Sequence, residues 1–187
     1  MSKVLILNGS PRKKGNTIFL IQELSRIIIQ NGHEVEILNL NDYDIKPCQG
    51  CLWCYKDFPL RCIQNDVMNG LYPSVLDSDV IVFASPIYWF NYSAQLKLFI
   101  DRLIALHVQG GHSLNGHKFA SIFVYGDSNA KGSGVHSTIE SIDHMIRYFR
   151  GENLGVVHGT GGDSLTVPNN AEIMKDLREL AEKICSI

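Results

Sequence analysis

Val4-Leu5-Ile6-Leu7-Asn8-Gly9-Ser10-Pro11-Arg12-Lys13-Lys14-Gly15-Asn16-Thr17, running straight into Ile18-Phe19-Leu20-Ile21, is the stretch on which the fold turns. Four consecutive apolar residues make a short strand of the kind buried on both faces, since a strand with one wet face alternates apolar with polar. Asn8-Gly9 stops it. From about Asn16 to Asn31 the apolar residues Ile18, Leu20, Ile21, Leu24, Ile27 and Ile28 recur at helical spacing. Asn31-Gly32 then supplies the residues that end helices. Strand, glycine- and hydroxyl-containing loop, helix: this is the first unit of an alternating β/α chain.

The rest of the chain continues the alternation. Val35–Leu38 is a second strand, and residues 39–65 form a long loop carrying turn residues and four cysteines. A helix is expected over Val67–Leu76, kinked or divided by Pro73. Val80–Ala84 is a third strand, closed by Ser85-Pro86, and a helix follows from about Ser93 to His107. Ala120–Tyr125 is a fourth strand, ended by Gly126-Asp127. A helix over Val135–Phe149, a fifth strand over Leu154–His158, a turn at Gly159–Gly162 and a helix over Asn170–Cys185 complete the order. Five such strands predict an α/β three-layer sandwich, a five-stranded parallel sheet with helices on both faces. Right-handed crossovers and five strands fit the flavodoxin-like order 2-1-3-4-5. In such sheets a ligand sits beyond the carboxyl ends of the strands at the switch point, so the loops after strands one, three and four are where function is sought.

Composition narrows the classes. A chain of 187 residues is long enough for one well-buried domain, 1–187, and short for two. Hydrophobic residues at 45% and charged residues at 19% exclude an unfolded chain. A formal net charge of -2 gives no footprint for nucleic acid or for an anionic membrane surface. No apolar run reaches transmembrane length, and the N-terminal run is too short for a secretory signal, so a cytoplasmic protein is expected. Four of the five cysteines (Cys48, Cys51, Cys54 and Cys62) cluster, while Cys185 stands alone. In a reducing compartment that is the pattern of a metal or redox site and not of a disulfide framework.

The loop after the first strand suits a phosphate. Backbone N–H groups at a helix start, the hydroxyls of Ser10 and Thr17 and the cation of Arg12 surround Gly15, and Asn16 can cap the helix. The glycines are too widely spaced for a P-loop, Asn16 stands where its lysine would be, and a Rossmann Gly-x-Gly-x-x-Gly is absent. A single phosphomonoester fits best. After the third strand comes Pro86-Ile87-Tyr88-Trp89-Phe90-Asn91, whose three consecutive aromatics call for a planar ligand, a core or an interface to cover them.

Together, Asn-Gly-Ser-Pro-Arg-x-x-Gly-Asn-Thr (8–17) and Ser-Pro-Ile-Tyr-Trp-Phe-Asn-x-Ser-Ala-Gln-Leu-Lys-x-Phe-Ile-Asp-Arg (85–102) resemble the NADPH-dependent FMN reductase family of flavodoxin-like proteins. The resemblance runs from the first strand to about Leu106. It implies non-covalent FMN, its phosphate held by Ser10, Arg12, Asn16 and Thr17, and its isoalloxazine contacted by Pro86, Ile87, Tyr88, Trp89, Phe90 and Asn91. The family's third loop follows the fourth strand, where Tyr125, Gly126, Asp127, Ser128 and Gly132 stand. NAD(P)H is implied as co-substrate, with hydride passing to the flavin and on to a small acceptor such as a flavin, quinone, nitro compound or azo dye. A homodimer or a dimer of dimers is implied too, with Trp89, Phe90 and Tyr92 as interface candidates.

Cys48, Cys51, Cys54 and Cys62 spell Cys-x2-Cys-x2-Cys-x7-Cys, tight enough for three thiolates to face one centre with a fourth to close it. This resembles the cysteine motif of iron–sulfur flavoproteins, a branch of the same group, and implies a [4Fe–4S] cluster. Zinc and a metal-free loop stay open as readings of the same residues. Two further functional classes stand beside the reductase: an electron-transfer protein serving a redox partner, and a non-catalytic flavin-binding module. His107, His112 and His117 are read as surface or loop residues, Asp101-Arg102 as a helix ion pair or subunit contact, and Cys185 as a buried or idle thiol.

Overall fold

A computed structural model describes residues 1–162 and 165–187. Its centre is a parallel sheet of β1 (Lys3–Asn8), β2 (Glu34–Asn39), β3 (Val80–Tyr88), β7 (Lys118–Tyr125) and β8 (Glu152–Thr160), in the order β2-β1-β3-β7-β8. That is the predicted 2-1-3-4-5 order. A sixth strand, β4 (Asn91–Tyr92), folds back antiparallel onto the end of β3, and β5 (His107–Val108) pairs with β6 (Gly111–His112) in a separate hairpin.

The helices divide between the two faces as the apolar spacing requires. α1 (Asn16–Gln30) and α6 (Ala171–Cys185) cover one face with Leu20, Ile21, Leu24, Ile28, Leu177, Leu180 and Ile184 against Val4, Ile6, Val80, Val82 and Ile122. α2 (Met68–Leu76), α3 (Ala94–Arg102) and α5 (Val135–Phe149), which follows the short α4 (Ala130–Ser133), cover the other, packing on Leu5, Leu7, Ile81, Phe83, Phe119 and Phe123. Adjacent strand residues therefore serve opposite cores. Each such side chain contributes about 1.5–3 kcal/mol when fully buried.

Three expectations are corrected. β3 does not close at Ser85-Pro86 but runs on to Tyr88, with Pro86 paired in register with Val124. The Ala84 carbonyl accepts the Gly9 N–H at 2.8 Å, so alternate residues of β3 face β1, and Pro86 would face it too. β1 has ended by then, so the missing proline N–H costs the sheet no bond. Of the kink or division expected at Pro73, the division does not occur: α2 runs through Pro73 as one helix. The helix expected to reach His107 instead ends at Arg102, tightens into a 3-10 turn over Leu103–Leu106 and enters the β5–β6 hairpin.

Candidate active site

The carboxyl ends of β1, β3 and β7 open into two adjoining clefts. One, of about 340 Å3, is lined by Ser10, Arg12, Gly15, Asn16, Thr17, Pro86, Ile87, Tyr88, Val124, Tyr125, Gly126, Gly161 and Gly162. The other, of about 270 Å3, is lined by Ile87, Trp89, Phe90, Tyr125, Gly126, Asp127, Gly132 and Ser133. Ile87, Tyr125 and Gly126 border both, so the pair reads as one elongated site with a hydroxyl-rich end and an aromatic end.

At the hydroxyl-rich end the loop is held by its own short bonds. Asn8 Oδ1 accepts the Ser10 N–H at 3.0 Å, and Ser10 Oγ accepts the Arg12 N–H at 3.3 Å. Asn8 is itself fixed by Nδ2 donating to Asn39 Oδ1 at 2.9 Å. Ser10 and Thr17 are buried, and Arg12 reaches outward. The helix cap is Gly15 and not Asn16. Gly15 has φ 153° and ψ -178°, a conformation open essentially to glycine, and α1 has no side-chain cap bond. Asn16 is the first helical residue, and its side chain does other work. Its Oδ1 accepts the N–H groups of Thr166 and Val167, both at 3.0 Å, and its Nδ2 donates to the Gly162 carbonyl at 3.3 Å. Asn16 thus ties the segment after β8 to the start of α1. Gly161 and Gly162 line the cleft as a result; the glycine run was the only sign of it in the sequence.

At the aromatic end, Tyr88-Trp89-Phe90-Asn91 is a two-residue hairpin. Tyr88 pairs with Asn91, and the two turn residues both have positive φ, 46° at Trp89 and 66° at Phe90. That is the type I′ geometry normally filled by Asn-Gly. Bulky residues there are strained. The turn is braced from below: a Cβ on Gly134 would lie 2.7 Å from Phe90 Cα and 2.9 Å from its carbonyl oxygen, and Gly134 itself has φ 78°. Trp89 is 92% exposed and Phe90 59%. Asn91 is exposed, its Oδ1 accepts the Tyr92 N–H at 2.8 Å, and it lines neither cleft. Asp127 lines the aromatic end while its Oδ1 accepts the Asn129 N–H at 3.1 Å. Burial pushes the Tyr125 hydroxyl above its ordinary pKa, and Tyr125 Oη lies 3.4 Å from His158 Nδ1.

The four clustered cysteines lie apart from these clefts. All four line one small cavity of about 130 Å3 with Gln49, Gly50, Leu52, Trp53, Ile63, Gln64, Arg102, Ile104 and Ala105. Cys48 and Cys51 are exposed, Cys54 is buried and Cys62 lies between. The chain winds tightly around the cavity: Gly50, Leu52, Asp57, Phe58 and Leu60 all have positive φ. Among the described residues no three His, Cys, Asp or Glu side chains close up on a point fit for a single ion. The thiols surround a space.

Beneath the cavity is a buried ion pair. Arg102, 0% exposed, donates to Asp66 through Nη1 at 2.6 Å and Nη2 at 2.9 Å, and Nη1 also donates to the Lys46 carbonyl at 2.8 Å. Burial alone would raise the Asp66 carboxyl; Arg102 and the Lys46 and Met68 N–H groups outweigh it and hold the pKa below its usual value. The helix ion pair or subunit contact expected of Asp101-Arg102 is thus split between two partners. Asp101 pairs with Lys97, and Arg102 is interior. His112 is likewise buried and not a loop residue at the surface. Cys185 is partly buried. No helix among the described residues is long and apolar enough to cross a membrane.

Comparison with known proteins agrees with this geometry. An iron–sulfur flavoprotein from Archaeoglobus fulgidus is 35% identical over 96% of this chain and 96% of its own length. Another from Methanocaldococcus jannaschii is 30% identical over 99% of this chain and 96% of its own. Among solved structures, an FMN-dependent NADH-azoreductase from Bacillus anthracis in complex with FMN superposes with a TM-score of 0.70 at 15% identity, covering 98% of each chain, a likeness of fold. Residues 2–154 match the sequence profile described as NADPH-dependent FMN reductase. The chain belongs to the NADPH-dependent FMN reductase family and is an oxidoreductase that works through FMN.

Proposed function

We propose that this chain is an iron–sulfur flavoprotein that takes electrons from NAD(P)H into FMN and delivers them outward through a [4Fe–4S] cluster held by Cys48, Cys51, Cys54 and Cys62. The observation that carries the reading is that all four thiols border one cavity whose lining contains no carboxylate. Thiolates spread around a space suit a multi-iron cluster better than a zinc ion, which draws its sulfurs to about 2.3 Å from one point. The two relatives named iron–sulfur flavoproteins point the same way.

The residues divide the work. Ser10 and Thr17 supply hydroxyls, and the start of α1 supplies backbone N–H groups and a positive helix end for the FMN phosphate. Arg12 adds a cation at the rim. Pro86, Ile87, Tyr88, Tyr125 and Gly126 line the cleft that would hold the planar ring. Trp89 and Phe90, which line the adjoining cleft, would cover the ring, and their exposure suits a homodimer or dimer of dimers in which a second copy completes the cover. When bound, FMN accepts hydride and releases electrons singly or in pairs, and the cluster carries them singly. The protein's part is to orient these groups. Cys48 and Cys51 at the surface put the cluster within reach of a redox partner. Five thiols suit the cytoplasm, where they stay reduced.

A second reading, reduction of a small acceptor directly at the flavin, is favoured by the aromatic cleft of about 270 Å3 that adjoins the hydroxyl-rich one. Anaerobic purification with FMN, iron and acid-labile sulfide determinations separates the two. FMN with about four irons per chain is expected; FMN without iron leaves the small-acceptor reductase.

A further inference from the structure

We propose that Arg102 is a positioning residue for the cysteine cavity: its Nε–H is a donor kept for a sulfur of the cluster and sets its reduction potential. The inference rests on the cluster reading above. Arg102 is the last residue of α3, and its side chain lines the cavity together with all four cysteines. Its two terminal nitrogens are spent on Asp66 and the Lys46 carbonyl. Nε alone is left over. Among the described residues it is one of three fully buried side-chain polar atoms with no hydrogen-bond partner.

An orphaned N–H on a buried guanidinium is costly, because the group has given up water and received nothing. Such groups are rare in native proteins and call for an explanation, a redox role or a bound ion among them. Here the cavity that the side chain lines is bordered by all four clustered cysteines. Cys62 and Tyr72 are among the groups whose charge bears on the guanidinium, which places the sulfur side of the cavity close to it. Asp66 takes Nη1 and Nη2 in a bidentate pair, which fixes the guanidinium and leaves Nε–H outside the pair. Hydrogen bonds to cluster and cysteinyl sulfurs are among the features that set cluster potentials, and a donated N–H favours the more negative, reduced state.

The test is the midpoint potential of the cluster in Arg102→Lys, followed by EPR during a redox titration, with the FMN potential read in the same sample. Lysine keeps a cation for Asp66 and removes Nε. The variant is expected to bind FMN unchanged and to lower the cluster potential by about 59 mV, a tenfold shift in the one-electron equilibrium. An unchanged cluster potential, or equal shifts at cluster and flavin, overturns the assignment and leaves Arg102 as a strut. If the variant does not assemble a cluster, protein that keeps Arg102, labelled with [15N]arginine and carrying Arg61→Lys to remove the guanidinium over the Trp53 ring, is measured by pulsed EPR. A 15N coupling to the reduced cluster supports the proposal, and its absence overturns it. Iron content of the parent protein is measured first: no iron sinks the cluster reading and this inference with it, whereas iron with an unmoved potential sinks this inference alone.

Discussion

Trp89 shows how a residue can be wrong for its backbone and right for its place. A tryptophan at φ 46°, 92% exposed, gains little burial to offset a left-handed conformation that costs about 1–3 kcal/mol. Asparagine takes that conformation far more easily. Trp89→Asn is therefore expected to raise the melting temperature of the FMN-free protein by about 2–4 °C per kcal/mol recovered and to weaken FMN binding about tenfold, a loss of ~1.4 kcal/mol. Flavin fluorescence titration beside thermal melts checks both, and unchanged affinity would show that the strain serves something other than the flavin. His112 makes the complementary case for charge. Its Nδ1 accepts the Leu114 N–H at 3.2 Å while its Nε2 lies 2.9 Å from the Leu103 carbonyl, so only the neutral ring satisfies both. Burial, then His107 and His117, hold its pKa below the ordinary 6.5. Above that value folded and unfolded chains are both neutral here. Below it the unfolded chain takes a proton that the folded one refuses, so stability falls with pH from about 6.5 down to the folded value. His158, also lowered by burial, adds in the same window. Urea unfolding at pH 7.5 and 5.5 should show the loss, and His112→Gln should show less of it.

At the scale of elements, the hinge of the site is Ser93. It caps α3 by accepting the Leu96 N–H at 3.3 Å and donates to the Gly9 carbonyl at 2.7 Å, tying the helix after the aromatic hairpin to the loop after β1. Ser93→Ala removes a cap and strands a buried carbonyl, an expected loss of about 2 kcal/mol. Because Gly9 leads into Ser10, FMN affinity should fall with it; loss of stability without loss of affinity would show the two loops to be independent. Ser93 itself carries no sign of this second bond in the sequence, where it looks like an ordinary helix start. The same boundary marks what was legible. Apolar runs and helical periodicity located all five strands of the main sheet and its flanking helices, because burial imposes those patterns. The β3–β4 hairpin went unseen: Trp89-Phe90 carries none of the turn chemistry that announces one. Pro86 read as a strand end because nothing local reveals that β1 stops short of it.

Over the whole molecule, the site residues were legible where they share a loop with a glycine or an aromatic run, and illegible where a distant segment completes the site. Asn16 read as a cap; only the tertiary structure shows it holding the segment after β8, some 150 residues away. Arg102 read as half of a helix ion pair or a subunit contact, because its partner Asp66 lies 36 residues away in the chain. This arrangement also predicts how the two redox sites relate. The flavin clefts are built from the carboxyl ends of β1, β3 and β7, whereas the cysteine cavity is built from residues 48–64 and 102–105, and no lining residue is shared. Cys62→Ser is thus expected to abolish iron binding while FMN content stays near one per chain. Saturating FMN at about 100 times its dissociation constant should then still add ~2.7 kcal/mol, or about 5–10 °C in melting temperature, to parent and variant alike. The opposite result, a variant that loses FMN with its iron, would mean that the loop closes over the flavin when loaded and that the two sites assemble as one.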